Sequence, residues 1–107
     1  MTRHGNRVGG AYCITHAVLH VDAKDPARFG FIVSKAVGGA VTRNLVRRRL
    51  KSIADRSLAA GFSGADVVFR ALPASAEAKF SELEQEVARS LERVRKRARK
   101  EKEARRV

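Results

Sequence analysis

The sequence predicts an α+β fold, an α/β sandwich in which helices cover one side of a small sheet. Three observations predict it. Short runs rich in β-formers alternate with a period of two, and two longer runs repeat their apolar residues at intervals of three and four. One of the helical runs lies between two strands, as in a crossover unit joining parallel strands. With 107 residues, 44% of them hydrophobic, the chain has room for one domain with a small core.

Residues 1–10 (MTRHGNRVGG) are polar and glycine-rich and read as a loop or a frayed terminus. Ala11 to Val21 reads as a first strand, with Cys13, Thr15, Ala17, Leu19 and Val21 on a core face and Tyr12, Ile14, His16, Val18 and His20 on a mixed one. A turn around Pro26 leads to a second strand, Phe29 to Ser34, with Phe29, Phe31 and Val33 on one face. After the glycine-containing connection Lys35 to Gly39, a helical pattern runs from Ala40 to about Ala60 and is stopped by Gly61 and Gly64. Asp66 to Leu72 reads as a third strand, ended by Pro73. Ser75 is placed to cap a last helix, with Glu77 in its first turn. In that helix Phe80, Leu83, Val87, Leu91 and Val94 form an apolar seam. Beyond Val94 charge replaces the seam, so residues 1–94 read as the domain and 95–107 as a basic helix end and tail.

The formal net charge is +12, and it is clustered: residues 28–56 carry +7 and residues 89–107 carry +7, while residues 57–88 carry −3. Clustered cations build a local field that gathers phosphate backbones, so nucleic acid is the expected partner. No apolar run approaches the roughly 20 residues that span a bilayer, and no secretory leader is visible. A single cysteine, Cys13, has no internal disulfide partner, so a reducing, cytoplasmic compartment and no membrane are expected.

The chemistry concentrates between Arg28 and Arg56. On a helical wheel Thr42, Val46, Leu50, Ile53 and Ser57 form a core stripe. Arg43, Arg47 and Lys51 fall on a row at i, i+4 and i+8, with Asn44 and Arg48 beside it and Arg49 near the core edge, where it is expected to snorkel. Only Asp55 offers this row an anion within the helix, and like charges at i+4 repel by a few tenths of a kcal/mol. Phosphates would supply the missing anions, arginines forking onto successive oxygens. Gly38 and Gly39 would leave backbone N–H groups open for another phosphate.

The segment VSKAVGGAVTRNLVRRRLK closely resembles the signature of the bacterial ribonuclease P protein component. Ser34, Lys35, Gly38, Ala40, Val41, Arg43, Asn44, Arg47, Arg48 and Arg49 stand where that pattern places them, and the flanking element order agrees over nearly the whole chain. Three positions depart from it: Ala36 replaces a lysine, Gly39 an asparagine and Leu45 an arginine. The family also begins with a short, phenylalanine-bearing helix, and this chain starts after that point. The resemblance implies an α/β sandwich of the ribosomal protein S5 domain 2-like kind, with a left-handed βαβ crossover against the usual preference.

It further implies a protein subunit that binds a catalytic RNA and the 5′ leader of precursor tRNA. The RNA would perform magnesium-assisted hydrolysis, and the protein alone would be non-catalytic. Arg28, Lys35, Arg43, Asn44, Arg47, Arg48 and Lys51 would contact RNA, while Tyr12 and His16 would share one face of the leader cleft. Magnesium would be held mainly through the RNA, and no protein oligomer would be required.

Simpler readings stand beside these. His4, His16, His20 and Cys13 invite a metal, but His16 and His20 lie roughly 13 Å apart along a strand and Cys13 points away from them. Glu77, Glu82, Glu84 and Glu86 read as surface acids paired at i+3 or i+4 with bases of their own helix. Lys35 reads as a phosphate contact rather than a catalytic base. The alternative function is a non-enzymatic RNA-binding module, such as a ribosomal protein.

Overall fold

The computed structural model describes residues 5–104, with side chains through residue 100. In chain order the elements are β1 (Gly5–Gly9), β2 (Cys13–Leu19), β3 (Arg28–Ile32), α1 (Ala40–Ala59), β4 (Ala65–Ala71), a 3-10 turn (Pro73–Ala76) and α2 (Phe80–Ala104). The four strands form one sheet in the order β1-β2-β4-β3. β2 pairs antiparallel with both β1 and β4, and β3 pairs parallel with β4. A parallel pair needs a crossover, and α1 is that connection.

One sheet face is dry. Cys13, Ala17 and Leu19 of β2 and Ala65, Val67, Phe69 and Ala71 of β4 join Val46, Leu50, Ile53 and Ala54 of α1 and Leu83, Val87, Leu91 and Val94 of α2 in a single core. Both helices therefore cover the same side. Phe69 anchors the β3 edge, its ring 5.7 Å from that of Phe29 and 6.1 Å from that of Phe31.

α1 ends in a Schellman motif. The Phe62 N–H donates to the Ser57 carbonyl and the Gly61 N–H to the Leu58 carbonyl, each at 3.0 Å. Gly61 takes φ of +98°, a conformation that costs a side-chain-bearing residue and costs glycine nothing.

Several sequence expectations are corrected. Residues 5–9 form a strand rather than a loop: β1 runs along β2 from Gly5 opposite Val18 to Gly9 opposite Ile14, and Val8 is buried. β2 stops at Leu19, which leaves Val21 76% exposed instead of in the core. Ser75 does not cap the last helix; it lies inside the 3-10 turn, where its hydroxyl donates to the Leu72 carbonyl at 2.6 Å. α2 begins five residues later, with Glu82 as the acid of its first turn and accepting the Lys79 N–H at 2.9 Å. That bond is the reciprocal half of a capping box.

Among the described residues no ion pair lies within α2 either. Glu84 reaches Arg56 of α1. Glu86 is 7% exposed and accepts backbone N–H groups of Ala11 at 2.6 Å, Tyr12 at 3.0 Å and Cys13 at 2.9 Å, clamping the β1–β2 hairpin onto α2. The hairpin accommodates this only because residue 10 is glycine: a Cβ on Gly10 would lie 2.5 Å from the Glu86 carboxyl carbon. α2 runs on past Val94, with Ala98 packed against the core and Arg95 over the Phe62 ring, 5.4 Å from its centroid.

Candidate nucleic-acid interface

The core stripe of α1 fixes where its cations go. Val46, Leu50, Ile53 and Ala54 are buried, so Arg47, Arg48 and Lys51 emerge into solvent, and Arg43 is half-buried at the stripe's edge. Among the described residues no ion pair within 4 Å involves Arg43, Arg47, Arg48 or Lys51. Arg47 instead donates to the Asn44 side-chain carbonyl at 3.4 Å, which sets the two side by side on the helix face. The Nε of Arg43 is buried and has no hydrogen-bond partner among the described residues.

Arg48, Lys51 and Ser52 line a shallow groove with Asp55 and Arg56. Asp55, the one acid of the helix, forms none of the described ion pairs. Arg56 is taken by Glu84 and lies over the Phe80 ring, 5.3 Å from its centroid. Arg49 donates to the Ala78 carbonyl at 2.9 Å from a half-buried position, the snorkelling geometry its place on the wheel predicts.

Lys35 is exposed in the turn after β3, where the Val37 N–H donates to the Ser34 carbonyl at 3.1 Å and buried Val33 and Val37 pin the loop. At the start of α1, Gly39 is the N-cap, with no side-chain cap and no acid in the first turn. Among the described residues no side-chain cap or first-turn acid neutralises the positive end of the helix dipole there, so it adds to the field of Lys35 and the arginines.

The sheet face away from the helices is a second surface. Register sets three rungs across it: Gly5, Val18, Asp66 and Arg28; Arg7, His16, Val68 and Gly30; Gly9, Ile14, Arg70 and Ile32. Arg7, His16 and Arg70 are exposed on it, among Ile14, Val18, Val68 and Ile32. Cations interleaved with apolar surface and glycine gaps suit a single strand, whose phosphates need charge and whose bases need flat apolar contact.

Two predicted site residues have partners that the sequence did not disclose. Arg28 is not a free cation: its guanidinium forks onto Asp66, Nε to Oδ1 at 3.0 Å and Nη2 to Oδ2 at 2.9 Å. The register places the two opposite each other. His20 adds its Nε2 at 2.8 Å from Oδ1 of the same carboxylate. The Arg28 and His20 hydrogen bonds hold the Asp66 carboxyl below its ordinary range, and Asp66 in turn raises Arg28.

Tyr12 does not share a face with His16. It precedes β2, is packed against the core, and its hydroxyl donates to Glu82 of α2 at 3.2 Å. Desolvation, then the Glu82 charge, raises the phenol. Only His16 of the pair lies on the open face.

Sequence reasoning missed Arg7 and Arg70. Arg70 was legible, since it alternates with Val67, Phe69 and Ala71. Arg7 was hidden by the loop reading of its segment.

Among the described residues the histidines and the cysteine that invite a metal do not converge. His4 lies outside the described residues, as do residues 105–107 of the tail. Cys13 is buried on the helix side and His20 is engaged by Asp66. Among the described residues no group of three His, Cys, Asp or Glu side chains is placed to hold an ion, and no helix is long and apolar enough to cross a membrane.

Comparison with known proteins bears on the sequence and the fold. The family model Ribonuclease P matches residues 1–95. The ribonuclease P protein component of Beutenbergia cavernae is 46% identical over 89 residues, covering 83% of this chain and 74% of the relative. That of Pseudarthrobacter chlorophenolicus is 47% identical over 90 residues, covering 84% and 65%. The solved RNase P protein of Thermotoga maritima superposes with a TM-score of 0.73 at 22% identity, covering 83% of each chain. The Staphylococcus aureus RNase P protein gives 0.73 at 19% identity, covering 84% of this chain and 81% of that one. At such identities these two solved structures speak for the fold.

Proposed function

The chain belongs to the ribonuclease P protein family, and on that premise we propose how it works as the protein subunit of that endoribonuclease. It binds the catalytic RNA through the α1 surface and receives the 5′ leader of precursor tRNA on the open sheet face. The observation that carries this reading is the row Arg43, Arg47 and Lys51, with Asn44 and Arg48 beside it. The family signature and the unpaired cations coincide on the one face of α1 that the core leaves free.

Division of labour follows from the side chains. Arg47, Arg48 and Lys51 answer phosphate charge, and Asn44, held beside Arg47, offers an amide to a sugar hydroxyl or base edge. Lys35 and the uncapped helix start extend the cationic surface toward the end of β3. His16, with Arg7 and Arg70, serves the leader, while Arg28 borders that face as a partner of Asp66. The protein contributes charge and position, and hydrolysis belongs to the RNA. Magnesium, on this reading, is held through RNA phosphates. The working compartment is the cytoplasm, and one protein chain serves each RNA.

The test is reconstitution with a bacterial ribonuclease P RNA and a precursor tRNA at low magnesium. Added protein is expected to restore 5′ leader removal that the RNA alone performs poorly, and protein alone is expected to cut nothing. Turnover unchanged by the protein would refute the reading. A chain that binds ribosomal RNA and leaves tRNA processing untouched would favour a ribosomal-type binding module instead.

A further inference from the structure

We propose a second RNA-backbone surface on the flank of α2 that faces β1, built on Arg89, Arg93 and Arg97 and separate from the α1 surface. It rests on the family reading for the kind of partner and on different residues for its location. The three arginines recur at i, i+4 and i+8, about 6 Å apart along the helix axis, with Lys96 beside them. Arg89, Arg93, Lys96 and Arg97 are all exposed.

Contacts on the two flanks of α2 fix which way this row points. One flank meets β1 and its hairpin: Glu86 holds the hairpin backbone, and Arg97 Nη1 lies 3.5 Å from both Asn6 Oδ1 and the Arg7 carbonyl. The other flank meets α1 and the loop after it, through Glu84 to Arg56 and Arg95 over Phe62. Since β1 is one edge strand and α1 packs against β3 at the other, the two arginine rows serve different sides of the molecule.

Among the described residues the row has little to neutralise it. Glu86 is spent on backbone N–H groups, and Glu82 is held by Tyr12 and Lys79. Glu92 lines a recess on the other flank with Arg95 and Phe62. Among the described residues none of the ion pairs within 4 Å involves Arg89, Arg93, Lys96 or Arg97. Arg89 and Arg93 also line a small recess with Val8, Gly9, Gly10, Ser90 and Glu86, which places them beside the hairpin.

The chemistry favours RNA over a membrane or an acidic protein. None of the large hydrophobic residues left exposed lies on α2, so nothing on this flank would enter a lipid interface. Arginine predominates over lysine, and its planar fork suits phosphate oxygens. The spacing repeats the device already present on α1. A chain with two such sides can hold two RNA segments at once.

The test uses two generic 20-base-pair RNA duplexes, one biotinylated and one fluorescent, with the full chain. Wild-type protein on the immobilised duplex is expected to retain the fluorescent one at low salt and release it at high salt. The double variant Arg89→Ala/Arg93→Ala should still bind a single duplex through α1 but lose co-retention. In the wild type, retention of the second duplex should weaken with salt with a log–log slope of at least about 1.4–1.8, the two phosphate contacts that Arg89 and Arg93 supply. An unchanged melting temperature in the double variant will show that the fold is intact.

Co-retention that survives the double variant overturns the proposal, because α1 or a protein dimer would then account for it. Wild-type protein that binds one duplex without co-retention overturns it too, as does protein that binds no duplex. Precursor-tRNA cleavage judges the family function separately, since it depends on the α1 variants whatever happens here.

Discussion

Glu86→Ala should be among the most damaging single changes in the protein, and its cost can be built up bond by bond. The carboxylate accepts from Cys13 N–H in a buried setting and from Ala11 and Tyr12 N–H in partly buried ones. Stranding the buried donor costs about 1–3 kcal/mol, and the two donors that water can reach cost about 1 kcal/mol each. The expected loss is therefore about 3–5 kcal/mol, a large part of the 5–15 kcal/mol typical of a domain.

Urea denaturation followed by far-UV circular dichroism reads it directly, and the melting temperature should fall by more than about 12 °C. Glu84→Ala is the control: its pair with Arg56 is solvent-exposed, and about 1 kcal/mol or less should go. Gly10→Ala should reach the same clamp from the other side, since its methyl would displace the carboxylate. It should cost about 1–3 kcal/mol in the wild type and much less when Glu86 is already alanine. A Glu86→Ala loss below about 1 kcal/mol, or additive costs in the double variant, would refute the clamp.

The remaining predictions are shorter. Arg47→Ala and Arg48→Ala should each weaken RNA binding and lower the salt slope by about one unit without moving the melting temperature, as fluorescence anisotropy at several salt concentrations will show. Leu50→Ala should do the reverse, costing about 2–5 kcal/mol in urea titrations, because Leu50 is fully buried. Asp66 has a folded-state pKa below its ordinary 3.8, so its pairing with Arg28 and His20 stabilises the fold above that value and is lost as pH falls through the lowered one. Asp66→Asn should accordingly flatten the acid limb of stability against pH below about 4, and an unchanged limb would count against the pairing. Cys13 is buried and its thiol is pushed up to about 12, first by desolvation and then by Glu86. It should resist iodoacetamide at pH 8 in native protein and react in urea, with mass spectrometry as the readout.

How much the sequence disclosed depended on how local each signal was. α1 was legible from end to end because its stripe, its cations and its glycine stop all lie within one segment. The core faces of β2, β3 and β4 were legible from alternation. β1 was not, because GNRVG has one apolar residue; it is a strand only because β2 offers it a ladder. Tyr12 was assigned by strand parity to the face of His16, but the strand begins one residue later and Glu82 draws the phenol toward the helices. Glu86 looked like any acid on a charged helix, and its role depends on backbone donors more than seventy positions away. Arg28 looked like the first cation of a basic block until register set it opposite Asp66. Apart from β1, whose partner is the next strand, each of these failures involves a partner distant in the chain, which periodicity does not encode.

The strand order has a consequence for a chain still being made. β4 sits between β2 and β3 but is synthesised after both, so an emerging polypeptide has a hairpin and an orphan strand until Ala71 is clear of the ribosome. The carboxylate that fastens the hairpin comes later still. Acquisition of structure should therefore be abrupt and should wait for α2, and fragments ending before α2 should be prey for proteases.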